Sequence, residues 1–175
     1  YNDSLERFRS KYISTHGAVS EADRHKLQFY PVNEKYAVPA RVERIYEAPW
    51  FAMETSGKTK KTFRVYALLD FTMNGKPYRL SVYQSQQLMQ SEEYKDYLFI
   101  PFTDLSNGEE TYENGRYIDI RIAELENEPF YLDFNKAYNP YCAYVSNVYN
   151  CPVPPEENRL KIPIAAGEKK FALSH

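Results

Sequence analysis

Two polar stretches hold most of the residues able to do chemistry. The first, Asp104 to Arg116, reads DLSNGEETYENGR and gathers Asp104, Glu109, Glu110, Glu113 and Arg116 around two Asn-Gly steps. Paired carboxylates in a cleft perform general acid–base work when burial separates their pKa values. An arginine beside them adds a charged, bidentate donor for an anionic group. Glycine placement and glutamate spacing do not match a calcium-binding EF-hand loop. The same residues also make an ordinary pair of hairpin turns, with solvated acids and Arg116 ion-paired to one of them.

The second stretch, Asn135 to Asn158, places Asn135, Tyr138, Asn139, Tyr141 and Tyr144 among prolines. Pro140 restrains Asn139, and Pro152, Pro154 and Pro155 stiffen the later part, which holds polar groups in place for a ligand. The alternative is a proline-rich connection whose tyrosine hydroxyls are tied to backbone carbonyls. Cys142 and Cys151 are the only cysteines, and their spacing is neither a redox CxxC nor a zinc knuckle. They form a disulfide in an exported protein, or two buried small hydrophobes or a nucleophile in the cytosol. His16, His25 and His175 lie far from both stretches, which argues against a Ser-His-Asp or Cys-His mechanism there. No Walker loop, dinucleotide fingerprint or nucleophile elbow occurs, so no cofactor and no metal are expected. Lys60 and Lys61 read as part of a solvated hairpin tip beside Ser56-Gly57-Lys58, and Trp50-Phe51 as a core plug.

These stretches interrupt a regular pattern. Leu5, Phe8 and Tyr12 recur at helical spacing, with Asp3 or Ser4 as cap and Gly17 as terminator. A second short helix starts at Ser20 with Asp23 completing a capping box. From about Leu27 the period falls to two. Tyr36, Val38, Ala40 and Val42 make a half-buried strand, placed at an edge by Pro39. Phe63 to Phe71 and Tyr78 to Val82 flank Asn74-Gly75, a long hairpin with a type I′ turn. A short helix fits Gln84 to Asp96. Further strands are expected at Tyr97–Phe102, Ile118–Ile122, Phe130–Phe134 and Leu160–Ile164. The expected architecture is mainly β: an antiparallel barrel or rolled sandwich in a single domain, with a helical lead-in at 1–26 and a β body at 27–175.

Composition sets outer limits. Twenty-two basic and 24 acidic residues give a net charge of −2, which offers no long-range attraction for nucleic acid. No apolar run approaches the roughly 20 residues of a membrane helix, so no membrane-spanning segment is expected. Seventeen tyrosines and ten phenylalanines fit a β-rich chain or an aromatic-lined cleft.

The strings VYQSQQL, YLFIPFTDLSNGEETYENGRYIDI and LDFNKAYNPYCAYVSNVYNCPVPPEENRLKIPIAAGEK resemble the bacterial family catalogued as domain of unknown function 1684. The likeness runs nearly the whole length, through FYPVNEKYAVPARVERI and METSGKTKK. It departs mildly at Asn114, which stands in the usual Gly-Gly-Arg-Tyr string. The resemblance implies export, in some relatives as lipoproteins, and a site shared by the two polar stretches. Its ligand-binding residues would be Glu109, Tyr112, Arg116, Asn135, Tyr138, Asn139, Cys142 and Tyr144. Arg116 would donate to the ligand, Glu109 accept, and the asparagines and tyrosines orient it. The expected function is binding of a small molecule or a protein partner. A hydrolase using Glu109 or Cys142 in a closed pocket is one rival, and an interaction domain with a broad aromatic patch is the other.

Overall fold

Asn74 and Gly75, at φ 50° and 76°, turn the chain between β3 (Lys61–Met73) and β4 (Lys76–Ser85). Pairing runs from Met73↔Lys76 to Phe63↔Ser85, with a bulge between Val65 and Ala67. Positive φ at both turn positions matches the right-handed twist of the flanking strands, so this hairpin forms as its sequence predicts. The rest of the sheet is built around it. The remaining strands are β1 (Ala37–Arg44), β2 (Phe51–Met53), β5 (Tyr97–Phe102), β6 (Arg116–Arg121) and β7 (Phe130–Asp133). All pairings are antiparallel in the order β6-β5-β4-β3-β1-β7, with β2 also on β3. The computed structural model describes residues 1–171, so His175 lies outside the described residues.

The sheet curls into a half-barrel. Strand β1 drives part of the curl by changing partners: Ala37–Ala40 pair with β7, and Arg41–Arg44 with β3. β1 therefore lies inside the strand order, but Pro39 itself, opposite Tyr131, is paired on one side only, the local edge its type suggests. Leu69, Leu80, Val82, Leu98, Ile100, Phe102, Ile118, Leu132 and Phe134 fill the concave face. Burying side chains of this size gives roughly 1.5–3 kcal/mol each before chain entropy is counted, so this cluster dominates folding.

Leu160, Ile162, Ile164 and Ala166 point into the same core, but they do not form the expected ladder strand. Their neighbour is the loop after β5. Leu160 N–H donates to Thr103 O at 2.8 Å, and Ile162 O accepts from Leu105 at 3.2 Å. Pro163 lacks an N–H, and the next amide, Ile164, is satisfied by the Asp104 carboxylate at 2.8 Å.

Helix α1 (Asn2–Ser14) begins after Tyr1 with no side-chain cap, so neither Asp3 nor Ser4 serves. It ends at Ser14, before Gly17. Leu5 and Arg9 are its buried residues, whereas Phe8 stays exposed. The second helix is a 3-10 turn at Glu21–Lys26, in which Ser20 Oγ bonds to the Asp23 carboxylate and caps no backbone group. Another 3-10 turn, Leu88–Gln90, stands in the 84–96 region. Trp50 is half-buried beneath the Arg64 guanidinium, 4.4 Å from its ring, and Phe51 packs beside Met53, Phe63 and Tyr83.

Candidate functional site

The sheet's two outer strands, β6 and β7, do not pair with each other. After β7 the chain makes a 3-10 turn at Phe134–Lys136 and returns alongside β6. There Tyr117 and Tyr138 exchange both backbone bonds, each 2.9 Å, and bridge the seam. Alternation along β6 turns Ile118 and Ile120 into the core and Tyr117 and Asp119 to the opposite face. The Tyr138 hydroxyl donates to Asp119 Oδ2 at 2.7 Å. Asp119 thus stands where the returning chain and the open edge of the sheet meet.

A cleft runs along the seam. Its larger lobe, about 450 Å³, lies under α1 and the 138–152 segment. Its smaller lobe, about 260 Å³, continues over β3, β4 and β5, with Phe63, Leu88, Tyr97 and Phe99 in its wall. Lys61, Tyr117, Asp119, Tyr138 and Pro152 line both, so they form a waist. An aromatic row runs beneath. Ring centroids step from Phe63 to Phe99 (5.6 Å), Tyr117 (4.6 Å), Tyr138 (5.8 Å) and Tyr12 (6.0 Å). Phe8, Tyr141 and Tyr149 complete the larger lobe and remain exposed.

Asp119 meets solvent through the cleft yet is walled in by protein. Desolvation pushes its carboxyl up to about 6, against the opposing bond from Tyr138. The same walls lower the Lys61 ammonium. Tyr138 is held far above the ordinary phenol range, by desolvation first and then by the neighbouring carboxylate. At neutral pH the waist therefore carries an anion, a cation and a neutral phenol. Among the described residues, no group of His, Cys, Asp and Glu is placed to hold a metal ion.

Behind the larger lobe lies a buried relay that fixes the cleft wall. Glu168 is fully enclosed and accepts from Tyr12 Oη (2.7 Å), Asn139 N–H (2.9 Å) and the Tyr144 hydroxyl. His16 Nδ1 accepts from Ala18 N–H at 3.1 Å, so the proton of the neutral ring is on Nε2, 3.2 Å from Tyr12 Oη. The relay runs from His16 Nε2–H to Tyr12, and from Tyr12 O–H to Glu168. Helix α1, the 139–144 segment and the C-terminal segment are locked together by one carboxyl. Gly167 makes the approach possible: at φ 81°, a Cβ would lie 2.8 Å from Phe134 O and Ala137 O.

Burial pushes Glu168 up to about 7 and His16 down to about 4. The signs oppose. Glu168 contributes stability that is present below its unfolded value of 4.5 and lost as pH rises towards 7. His16 contributes stability that is present above 6.5 and lost as pH falls towards 4. Each slope approaches ~1.4 kcal/mol per pH unit, so they offset between about pH 4.5 and 6.5. Asp119 adds a shallower downward slope over its own window, muted by solvent. The expected result is that His16→Phe loses melting temperature with rising pH more steeply than the native chain. Glu168→Gln should shift the slope upward. Thermal unfolding at pH 4.5, 5.5 and 6.5 reads this directly, and parallel curves for all three proteins would refute it.

The residues expected from sequence to form one site fall in different places. Arg116 and Asp104 are wholly enclosed and paired at 3.3 Å, and Arg116 also donates to the carbonyls of Ile164 (3.0 Å), Ala166 and Glu168 (3.2 Å). Asn135 is enclosed, with its amide on Asn33 O, Asp133 and Tyr1 and its oxygen accepting from Asn33 N–H. Asn139 is enclosed and holds Lys169 O, and Tyr144 serves Glu168. Glu109 is exposed on its turn. Tyr112 and Cys142 line a separate hollow near Ser56–Thr59. Cys142 is bonded to Cys151, which lines the cleft, so Cys142 has no thiolate to serve as a nucleophile. Of the eight, Tyr138 alone enters the cleft beside Asp119.

Asp119 and Lys61 were not distinguishable by type. An acid between two isoleucines reads as the solvent side of a strand, and a lysine after Lys60 reads as a solvated turn. The available signal was the tyrosine density at 138–149, the one place where aromatics gather outside the strand pattern.

The fold is thus a mainly antiparallel β half-barrel with an N-terminal helix and an aromatic-lined cleft along its seam. Residues 23–169 match the family described as protein of unknown function, DUF1684, and the chain belongs to that family. It is also similar to the uncharacterized protein from gene locus rrnAC0354 of Haloarcula marismortui, known from a solution NMR structure. The two are 28% identical, the match covers 99% of this chain and 95% of that one, and the TM-score is 0.71. No curated protein matches the chain.

Proposed function

We propose that the chain is a small-ligand-binding domain whose site is the seam cleft. The observation that carries this is the gathering of exposed aromatics, Phe8, Tyr141 and Tyr149, around a cavity of ligand size with a carboxylate at its floor. Solvent-facing aromatics cost free energy, and grouping them at one concave place is the arrangement that ligand sites use. Tyr141 and Tyr149 pack edge to face at 5.1 Å, so they form one wall. Export belongs to the same reading, since the Cys142–Cys151 disulfide is of the kind that persists in an oxidising compartment. Among the described residues no helix is long and apolar enough to cross a membrane.

Anilinonaphthalene sulfonate, an aromatic anion that brightens when desolvated, is a suitable first probe. It is expected to bind the folded protein at one site, and Tyr141→Ala or Tyr149→Ala should weaken it about tenfold, ~1.4 kcal/mol. Both side chains are exposed, so circular dichroism should be unchanged. Unaltered binding in both variants would rule the cleft out. A second reading, in which Asp119 acts as a general base, is favoured by its place at the waist of both lobes with one oxygen free of Tyr138, where desolvation raises its carboxyl.

A further inference from the structure

Asp119 and Lys61 carry opposite charges on the same waist but do not pair. Among the described residues neither forms an ion pair, and the one side-chain hydrogen bond to Asp119 comes from Tyr138. Backbone placement keeps the two apart. Asp119 is fixed on β6 and steadied by Tyr138, while Lys61 opens β3, opposite Met53 of β2. Both nevertheless face both lobes.

A partly desolvated cation and anion sharing a cavity leave interaction unused on each side. A purely anionic ligand would meet Asp119 without compensation, and a purely cationic one would meet Lys61. The complementary guest carries both charges. Lys136, 6.0 Å from the Phe8 ring, lines the larger lobe and not the smaller, so it stands off the waist. Beside the waist the larger lobe presents Tyr12, Tyr141 and Tyr149 to whatever the head group carries.

We propose that the cleft binds a zwitterionic, amino-acid-like molecule, its ammonium on Asp119, its carboxylate on Lys61 and its aromatic or apolar body against the tyrosines of the larger lobe. This rests on the reading of the cleft as a ligand site. It assigns roles to two side chains: Asp119 accepts with the oxygen that Tyr138 leaves free, and Lys61 donates from across the waist.

Three probes of one shape separate the charges: L-phenylalanine carries both, 3-phenylpropionate the carboxylate alone and phenethylamine the ammonium alone. Calorimetric titration of the intact protein should find phenylalanine at least tenfold tighter than either. Asp119→Asn, which keeps an acceptor for Tyr138, should erase the advantage over phenylpropionate. Lys61→Gln should erase the advantage over phenethylamine, and Lys136→Gln should leave the ranking unchanged. Equal affinities for the three, all weakened by Tyr141→Ala, would overturn the head-group assignment and leave the cleft standing. Binding of anilinonaphthalene sulfonate with none of the three would also overturn it. Failure of every probe, the sulfonate included, would remove the cleft itself.

Discussion

Arg116→Met is expected to destabilise the fold by about 3–5 kcal/mol, the cost of breaking a buried ion pair from one side. The guanidinium and its partner Asp104 are both fully enclosed. Asp104 would keep donors from Ser106, Asn107 and Ile164, but the carbonyls of Ile164, Ala166 and Glu168 would lose theirs. Those carbonyls belong to the segment that carries Glu168, so the relay behind the cleft should loosen together with the core. Lysine would rescue only in part, because three donors on one nitrogen cannot reproduce the planar fork. Urea unfolding with a fluorescence readout measures the loss. A folded Arg116→Met domain, within about 1 kcal/mol of the native chain but unable to bind a ligand, would restore Arg116 as the ligand's charged donor.

Asn158→Asp should cost about 3–4 kcal/mol at neutral pH, from one atom exchanged. The Asn158 amide is inserted where β4 and β5 pair only at Tyr83↔Phe99. It accepts from Ser81 N–H (2.8 Å) and donates to Ser81 O (3.0 Å) and Pro101 O (2.8 Å), completing the ladder from outside it. A carboxylate keeps the acceptor but opposes two carbonyls in a fully enclosed position. Asn158→Ala should cost about 3 kcal/mol, from the three bonds it abandons. The acid carries its own diagnostic: protonation returns one donor, so relative to the native chain Asn158→Asp should regain stability on acidification, and Asn158→Ala should keep the native pH response. Paired denaturation curves at pH 4.5 and 7 separate the two, and matching pH responses would refute the account.

What sequence could reveal depended on how far away each cause lies. The β3–β4 hairpin is local, because Asn74-Gly75 and the alternation on either side specify turn and register together. The inward side of Leu160–Ala166 is also legible. Its lack of a ladder is not, since that depends on a loop near Thr103. Arg116 and Asn158 announce polarity, but their enclosure is set by partners 48 and 77 residues away. Asp119 is the sharpest case. Isoleucines on both sides place it on the outward face of β6, and only Tyr138, returning along the seam, turns that outward face into the floor of a cleft.

The seam has a mechanical consequence. The backbone holds that line by one reciprocal pair of bonds, Tyr117 with Tyr138, and the Tyr138 hydroxyl on Asp119 backs it from the side chain. A guest lodged across Asp119 and Lys61 would act as a second rivet on the outward face, tying β6 to β3. Strands that share no ladder would then brace one another, so the loaded domain should resist local opening of β6 more than the empty one.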